Sequence, residues 1–208
     1  MSSLDKIQFI VVGLKKEILD DLQKSFQDLP NFEFRRTNIL QVTQADCIVS
    51  PANSYGLMDG GVDGPINYGL NYIDARIVRP YIQKYFYGEQ PVGTCVIFET
   101  GQNNYRYLAH TPTMRIPTDV SNTQNPYLAF RALLRELLNH NKKYNNIKTV
   151  LMTGFCTGAG NFSADKAGKQ MRIAYNMTDK APSCSWDSAL TTEDKLTKIN
   201  WCDESIKN

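Results

Sequence analysis

The sequence lacks any run of about 18 apolar residues, so no ordinary membrane-spanning helix is expected. Its first residues are polar and carry no charged start followed by an apolar stretch, which argues against a secretory leader. Histidine is scarce: His110 and His140 are the only two. The five cysteines, Cys47, Cys95, Cys156, Cys184 and Cys202, are widely spaced, odd in number and form no Cys-x-x-Cys pair. This excludes zinc-ligand spacing and a disulfide framework, and it is the usage of a cytoplasmic protein with reduced thiols, a nuclear location also being compatible. No metal and no cofactor are expected. An excess of one charge is missing too: 23 Lys and Arg face 21 Asp and Glu, a net charge of +2 with no basic stripe. Neither nucleic acid nor a membrane is therefore an expected partner.

What is present is an ordinary globular composition, 42% hydrophobic and 21% charged, over 208 residues. A chain of this length buries roughly 70% of its unfolded surface, enough for one generous domain without staples. Residues 1–178 read as that domain. Residues 179–208 read as a polar extension without clear periodicity, yet they hold both tryptophans, Trp186 and Trp201, so part of it is expected to pack back on the domain.

Strands are expected at residues 6–13, 32–39, 45–49, 94–99, 105–110 and 147–152, from short β-branched or alternating apolar runs. Gly101 to Asn104 is a turn cluster that would join the fourth and fifth as a hairpin. Between them, Ile18, Leu19, Leu22, Phe26 and Leu29 recur at helical steps before Pro30, and Phe130, Leu133, Leu134, Leu137 and Leu138 do so after Asn125-Pro126. A further helix is expected from Ser163 through Met171 and Tyr175. This alternation is that of an α/β fold with a mixed or largely parallel sheet. The series Tyr68, Tyr72, Tyr81, Tyr85, Phe86 and Tyr87 reads as a packing face at helical spacing.

Two glycine-rich loops follow two of these strands, where open α/β sheets bind ligands. The first runs Ser50-Pro-Ala-Asn-Ser-Tyr-Gly-Leu-Met-Asp-Gly-Gly-Val-Asp-Gly-Pro65. Gly60 and Gly61 remove side chains so that backbone can approach a ligand, and a helix starting near Val62 or Asp63 would turn free N–H groups toward an anion. The second runs Thr153-Gly-Phe-Cys-Thr-Gly-Ala-Gly-Asn-Phe162. It has neither the Gly-Lys-Ser/Thr ending of a phosphate-binding loop of the Walker type nor the dinucleotide fingerprint, but its amides suit a diphosphate. A valine at Gly158 or Gly160 is expected to fill that space with little loss of folding.

Together, Asp46-Cys-Ile-Val-Ser-Pro-Ala-Asn-Ser54, Gly60-Gly-Val-Asp-Gly-Pro-Ile66 and the loop from Gly154 to Gly160 resemble the macro domain, an ADP-ribose-binding module. The resemblance covers residues 35–178 and implies a three-layer α/β/α fold with a mixed central sheet. It implies Asn38 and Ile39 near the adenine, with Asn38 in place of the usual aspartate. It places Asn53 and Asp63 near the distal ribose, and Ser50, Ala52, Gly60, Gly61, Val62, Gly154, Cys156, Thr157, Gly158, Ala159, Gly160 and Phe162 around the remainder of the ligand. Ser50 stands where many hydrolytic members have an asparagine, and Leu57-Met-Asp59 replaces part of a glycine run.

Asp63 is the expected catalytic carboxylate, orienting or deprotonating a water, with Asn53 holding the ribose hydroxyls. Alternatively Asp63 caps its helix and only binds. Asp59 is a second candidate at the site's edge. His110 reads as a core or loop histidine, His140 as a solvated one, and Cys156 as a small lining residue without a base. The functions in competition are hydrolysis of an ADP-ribosyl linkage, of the protein mono-ADP-ribose or ADP-ribose-1″-phosphate type, and binding of ADP-ribose by a reader without turnover. A structural role with a degenerate site is a third. ADP-ribose or an ADP-ribosylated substrate is the expected partner, and the chain is expected to be a monomer.

Overall fold

The computed structural model describes residues 3–179 and 184–201; Cys202 and the residues after it lie outside these. Six strands form one sheet: β1 (Gln8–Gly13), β2 (Phe32–Arg36), β3 (Cys47–Ser50), β4 (Val96–Glu99), β5 (Tyr107–His110) and β6 (Thr149–Met152). Their order is β2-β1-β6-β3-β5-β4. Every neighbouring pair is parallel except β4 and β5, which pair antiparallel as a hairpin.

Alternation along the strands divides the core in two. In β1, Phe9 and Val11 point into one apolar cluster while Ile10 and Val12 point into the other. The first cluster is closed by α1 (Lys16–Lys24), α4 (Asn125–Lys143) and α5 (Ala164–Asp179), the second by α2 (Asp63–Gly69), a π-helical turn (Asp74–Val78) and α3 (Arg79–Phe86). Strands covered on both faces need the continuous apolar runs this sequence supplies. The result is the three-layer α/β/α fold with a mixed sheet.

Three expectations are corrected. The tyrosine series is no packing face: Tyr68, Tyr72, Tyr85 and Tyr87 are exposed, and only Tyr81 and Phe86 pack against the core. The reason is that the segment is not one helix, since Asn71, Tyr72 and Tyr87 take left-handed φ values of 55°, 54° and 53°. The apolar face is made instead by Ile66, Leu70, Ile73, Val78 and Ile82. His140 is half-buried rather than solvated, its ring against Tyr107 and Tyr144 and its Nε2 2.8 Å from Asn146 Oδ1.

The chain after residue 183 is not without periodicity. It forms α6 (Trp186–Trp201), whose buried stripe is Thr192, Leu196 and Asn200. Two of those three are polar, so hydropathy hides the repeat. Asn200 is held by polar contacts, accepting from Gln170 Nε2 at 2.7 Å and donating to Thr123 O at 3.1 Å. Among the described residues no helix is long and apolar enough to cross a membrane, and no group of three or more His, Cys, Asp or Glu is placed to hold a metal.

Candidate functional site

The five parallel strands end on the same side of the sheet, and the segments that leave them enclose a cleft of about 520 Å³. Both glycine-rich loops reach it. Asn38, Ile39, Ala52, Asn53, Gly60, Gly61, Val62 and Asp63 line one wall, and Gly154, Cys156, Thr157, Gly158, Ala159 and Gly160 the other. Ser50 and Phe162 do not line it. Phe162 turns its ring into the apolar core, and Ser50, the last residue of β3, is fully buried beneath the first loop.

Asp63 is the first residue of α2, yet its carboxylate makes no cap within that helix. It is buried, and Ser50 Oγ donates to its Oδ1 at 2.7 Å. Burial pushes its pKa up to about 6, the Ser50 hydrogen bond opposes that rise, and the charge of Asp59 adds to it. A carboxylate poised near neutrality, at the wall of a cleft, is equipped to accept a proton. Asp59 lines the cleft from an exposed position.

Asn53 does two things at once. Its Oδ1 accepts from the N–H groups of Tyr55 and Leu57 at 3.0 and 3.3 Å, and its Nδ2 donates to Leu57 O at 2.6 Å. The side chain thus shapes the turn of residues 53–57 that forms the cleft wall. Tyr55 extends this scaffold outward, its hydroxyl donating to Glu89 Oε2 at 2.9 Å, while Arg115 Nε donates to Glu89 Oε1 at 2.6 Å. The first loop is thereby tied to the segments after α3 and β5.

The second loop bends through Cys156, whose φ is 62°, and is closed by Phe162 N–H donating to Cys156 O at 3.0 Å. None of the N–H groups from Thr157 to Gly160 has an acceptor among the described residues. Successive unspent amides of this kind form an anion-binding concavity. Burial raises the Cys156 thiol to about 12, so it lines the loop as a neutral group and is no nucleophile.

With this geometry in place, the comparisons with known proteins are decisive. The sequence pattern of the Macro domain family matches residues 49–171. The chain belongs to the macro domain family. A curated relative from Aquifex aeolicus, itself uncharacterised, is 34% identical over 127 residues, covering 61% of this chain and 70% of the relative. The macrodomain of Mycobacterium tuberculosis DarG superposes with a TM-score of 0.56 at 14% identity, covering 83% of this chain and 93% of that one. An Oceanobacillus iheyensis macrodomain solved with ADP does so with a TM-score of 0.52 at 20% identity, covering 76% and 87%.

Sequence reasoning missed one end of this macro domain's cleft. Val12, Gly13, Leu14, Lys15, Ile18 and Leu19, from the end of β1 and the start of α1, form a largely apolar pocket that Ile39 completes. The signal was present in the strand-Gly13-helix order, but Gly13 is a single glycine without the repeats that marked the other two loops. Thr113, Met114 and Pro117, after β5, were missed as well, since nothing in their composition marks a ligand wall. The macro domain's Asn38 spends its side-chain oxygen locally: Oδ1 accepts from Leu40 N–H at 3.0 Å and Gln41 Oε1 accepts from Asn38 N–H at 3.3 Å.

His110 ends β5 beside Ser50 in register and is fully buried. Its Nδ1 lies 2.8 Å from Gln90 Oε1, and Nε2 has no partner among the described residues. Burial lowers its pKa to about 3, so it is neutral at physiological pH and stands in the core as expected.

Proposed function

We propose that this macro domain binds ADP-ribose or a derivative in the cleft and hydrolyses an ADP-ribosyl linkage, of the protein mono-ADP-ribose or ADP-ribose-1″-phosphate type. The adenine takes the apolar end beside Val12, Ile18 and Ile39. The diphosphate lies against the unspent amides of Thr157 to Gly160, and the distal ribose reaches Asp63. Asp63, ionised above about pH 6, takes a proton from water as the water oxygen bonds to the anomeric carbon or the phosphorus. The bond to the leaving oxygen breaks, and the leaving group departs with a proton from solvent.

The observation that carries this reading is the buried Asp63 carboxylate at the cleft wall, raised to about 6 and held by Ser50. The alternative, a reader that binds without turnover, is favoured by Asn53, whose oxygen is already committed to its own loop. Incubation with an ADP-ribosylated protein and with ADP-ribose-1″-phosphate separates the two. Turnover by the parent that falls about two to four orders of magnitude in Asp63→Ala supports the hydrolase. Binding of ADP-ribose with no product from either substrate supports the reader.

A further inference from the structure

Two cations stand at the apolar end of the cleft, Lys15 in its lining and Arg36 just outside it against Leu14, and among the described residues neither is paired with a carboxylate. Lys15 lines the cleft in the turn after β1. Arg36, the last residue of β2, stands in register with Gly13, and its Nε donates to Leu14 O at 3.2 Å, a cleft-lining residue. The neighbouring cations are all neutralised: Lys16 pairs with Asp20 at 4.0 Å, and Arg35 pairs with Glu33. Lys15 and Arg36 have no such pair among the described residues. Asn38 adds to the same character. Its oxygen faces Leu40 N–H, which forces its Nδ2 hydrogens to be the group left for a ligand. Among the described residues, this corner of the cleft therefore offers donors and positive charge, and its lining carries no carboxylate.

In dinucleotide-binding α/β folds, a carboxylate at the end of the second parallel strand holds a ribose by its hydroxyl groups, and an arginine nearby accommodates a phosphate on that ribose. The same strand-end position is occupied here by a cation. Here β2 ends in Arg36, followed by Thr37-Asn38, beside β1. Resting on the reading above, in which the base lies at this end, we propose that the cleft selects ligands bearing a phosphomonoester on the ribose that carries the base. Such a ligand is ADP-ribose 2′-phosphate. Arg36, fixed in place by Leu14 O, presents its remaining guanidinium N–H groups to the phosphate oxygens, and Lys15 adds a point charge. The assignment makes Arg36 and Lys15 specificity residues with no part in the hydrolytic step.

The test is calorimetric titration of ADP-ribose and of ADP-ribose 2′-phosphate into the parent and into the Lys15→Gln, Arg36→Gln double variant, with Arg36→Lys as a milder change. The parent is expected to bind the phosphorylated ligand about tenfold more tightly, as one charge-assisted contact provides, and the advantage shrinks at high salt. In the double variant the ratio of the two affinities falls to about one. Equal binding of both ligands by the parent, or an advantage that survives in the double variant, overturns the selectivity while leaving ADP-ribose binding intact. If neither ligand binds the parent, the functional reading itself fails.

Discussion

The Ser50 hydroxyl donates to Asp63 Oδ1 at 2.7 Å, so the carboxylate at the cleft wall is held from beneath by the end of β3. Residues thirteen apart in sequence are joined through the loop whose glycines open the cleft. Because Ser50 is fully buried, water cannot substitute for it freely. Ser50→Ala removes the contact that favours the ionised form. The Asp63 pKa then moves further above about 6, and the rising limb of kcat/KM against pH shifts upward by roughly one unit. An unmoved limb means that Asp63 is not the group titrating in that profile.

Asp63 and His110 give stability opposite pH dependences. Asp63 is raised from an ordinary value of 3.8 to about 6, so folding favours its protonated form, and that contribution is lost as pH rises through about 6. His110 is lowered from 6.5 to about 3, so folding favours its neutral form, and that contribution is lost as pH falls from 6.5 toward about 3. Each slope is about 1.4 kcal/mol per pH unit at most. Between about pH 4 and 6 they cancel. Denaturant unfolding of the parent is expected to be flat across that window from these two groups, while Asp63→Asn exposes the His110 slope and loses stability as pH drops. The same curve shape in both proteins would remove Asp63 as the compensating group.

Gly158 and Gly160 are not equivalent. A Cβ at Gly158 meets nothing within 4 Å, whereas at Gly160 it would lie 2.7 Å from Cys156 O and 2.9 Å from Val120 Cγ2. This corrects the expectation that both tolerate valine. Gly160→Val is expected to cost about 1–3 kcal/mol of folding stability through overpacking. Gly158→Val should keep the parent's thermal midpoint and lose ADP-ribose affinity by about tenfold or more, since its side chain enters the space beside the free amides. Thermal melts with and without ligand distinguish the two, and an unchanged affinity in Gly158→Val would move the diphosphate elsewhere.

How far the sequence alone carried can be read from particular residues. β1, β3 and β6 were legible because strands buried on both faces need unbroken apolar runs, and Ile48, Leu151 and their neighbours provide them. The α4 helix was legible because five apolar side chains mark one face. Loops rich in glycine announced two walls of the cleft. The third wall did not, because Val12, Ile18 and Leu19 belong to the apolar core or pack against it and only also border the cavity. The break after Gly69 was hidden as well: Asn71 and Tyr72 turn left-handed although the tyrosine spacing fits a continuous helix. Beyond the β4-β5 hairpin, which the turn cluster announced, strand order escaped, since the pairing of β1 with β6 joins residues far apart in the chain.

The central claim is that the cleft between the two glycine-rich loops is an ADP-ribose site. Titration of ADP-ribose followed by both heat and thermal unfolding tests it directly. Ligand at about a hundred times its dissociation constant should stabilise the fold by roughly 2.7 kcal/mol, with the gain lost in Gly158→Val. No heat and no change in the unfolding midpoint at millimolar ADP-ribose would contradict it.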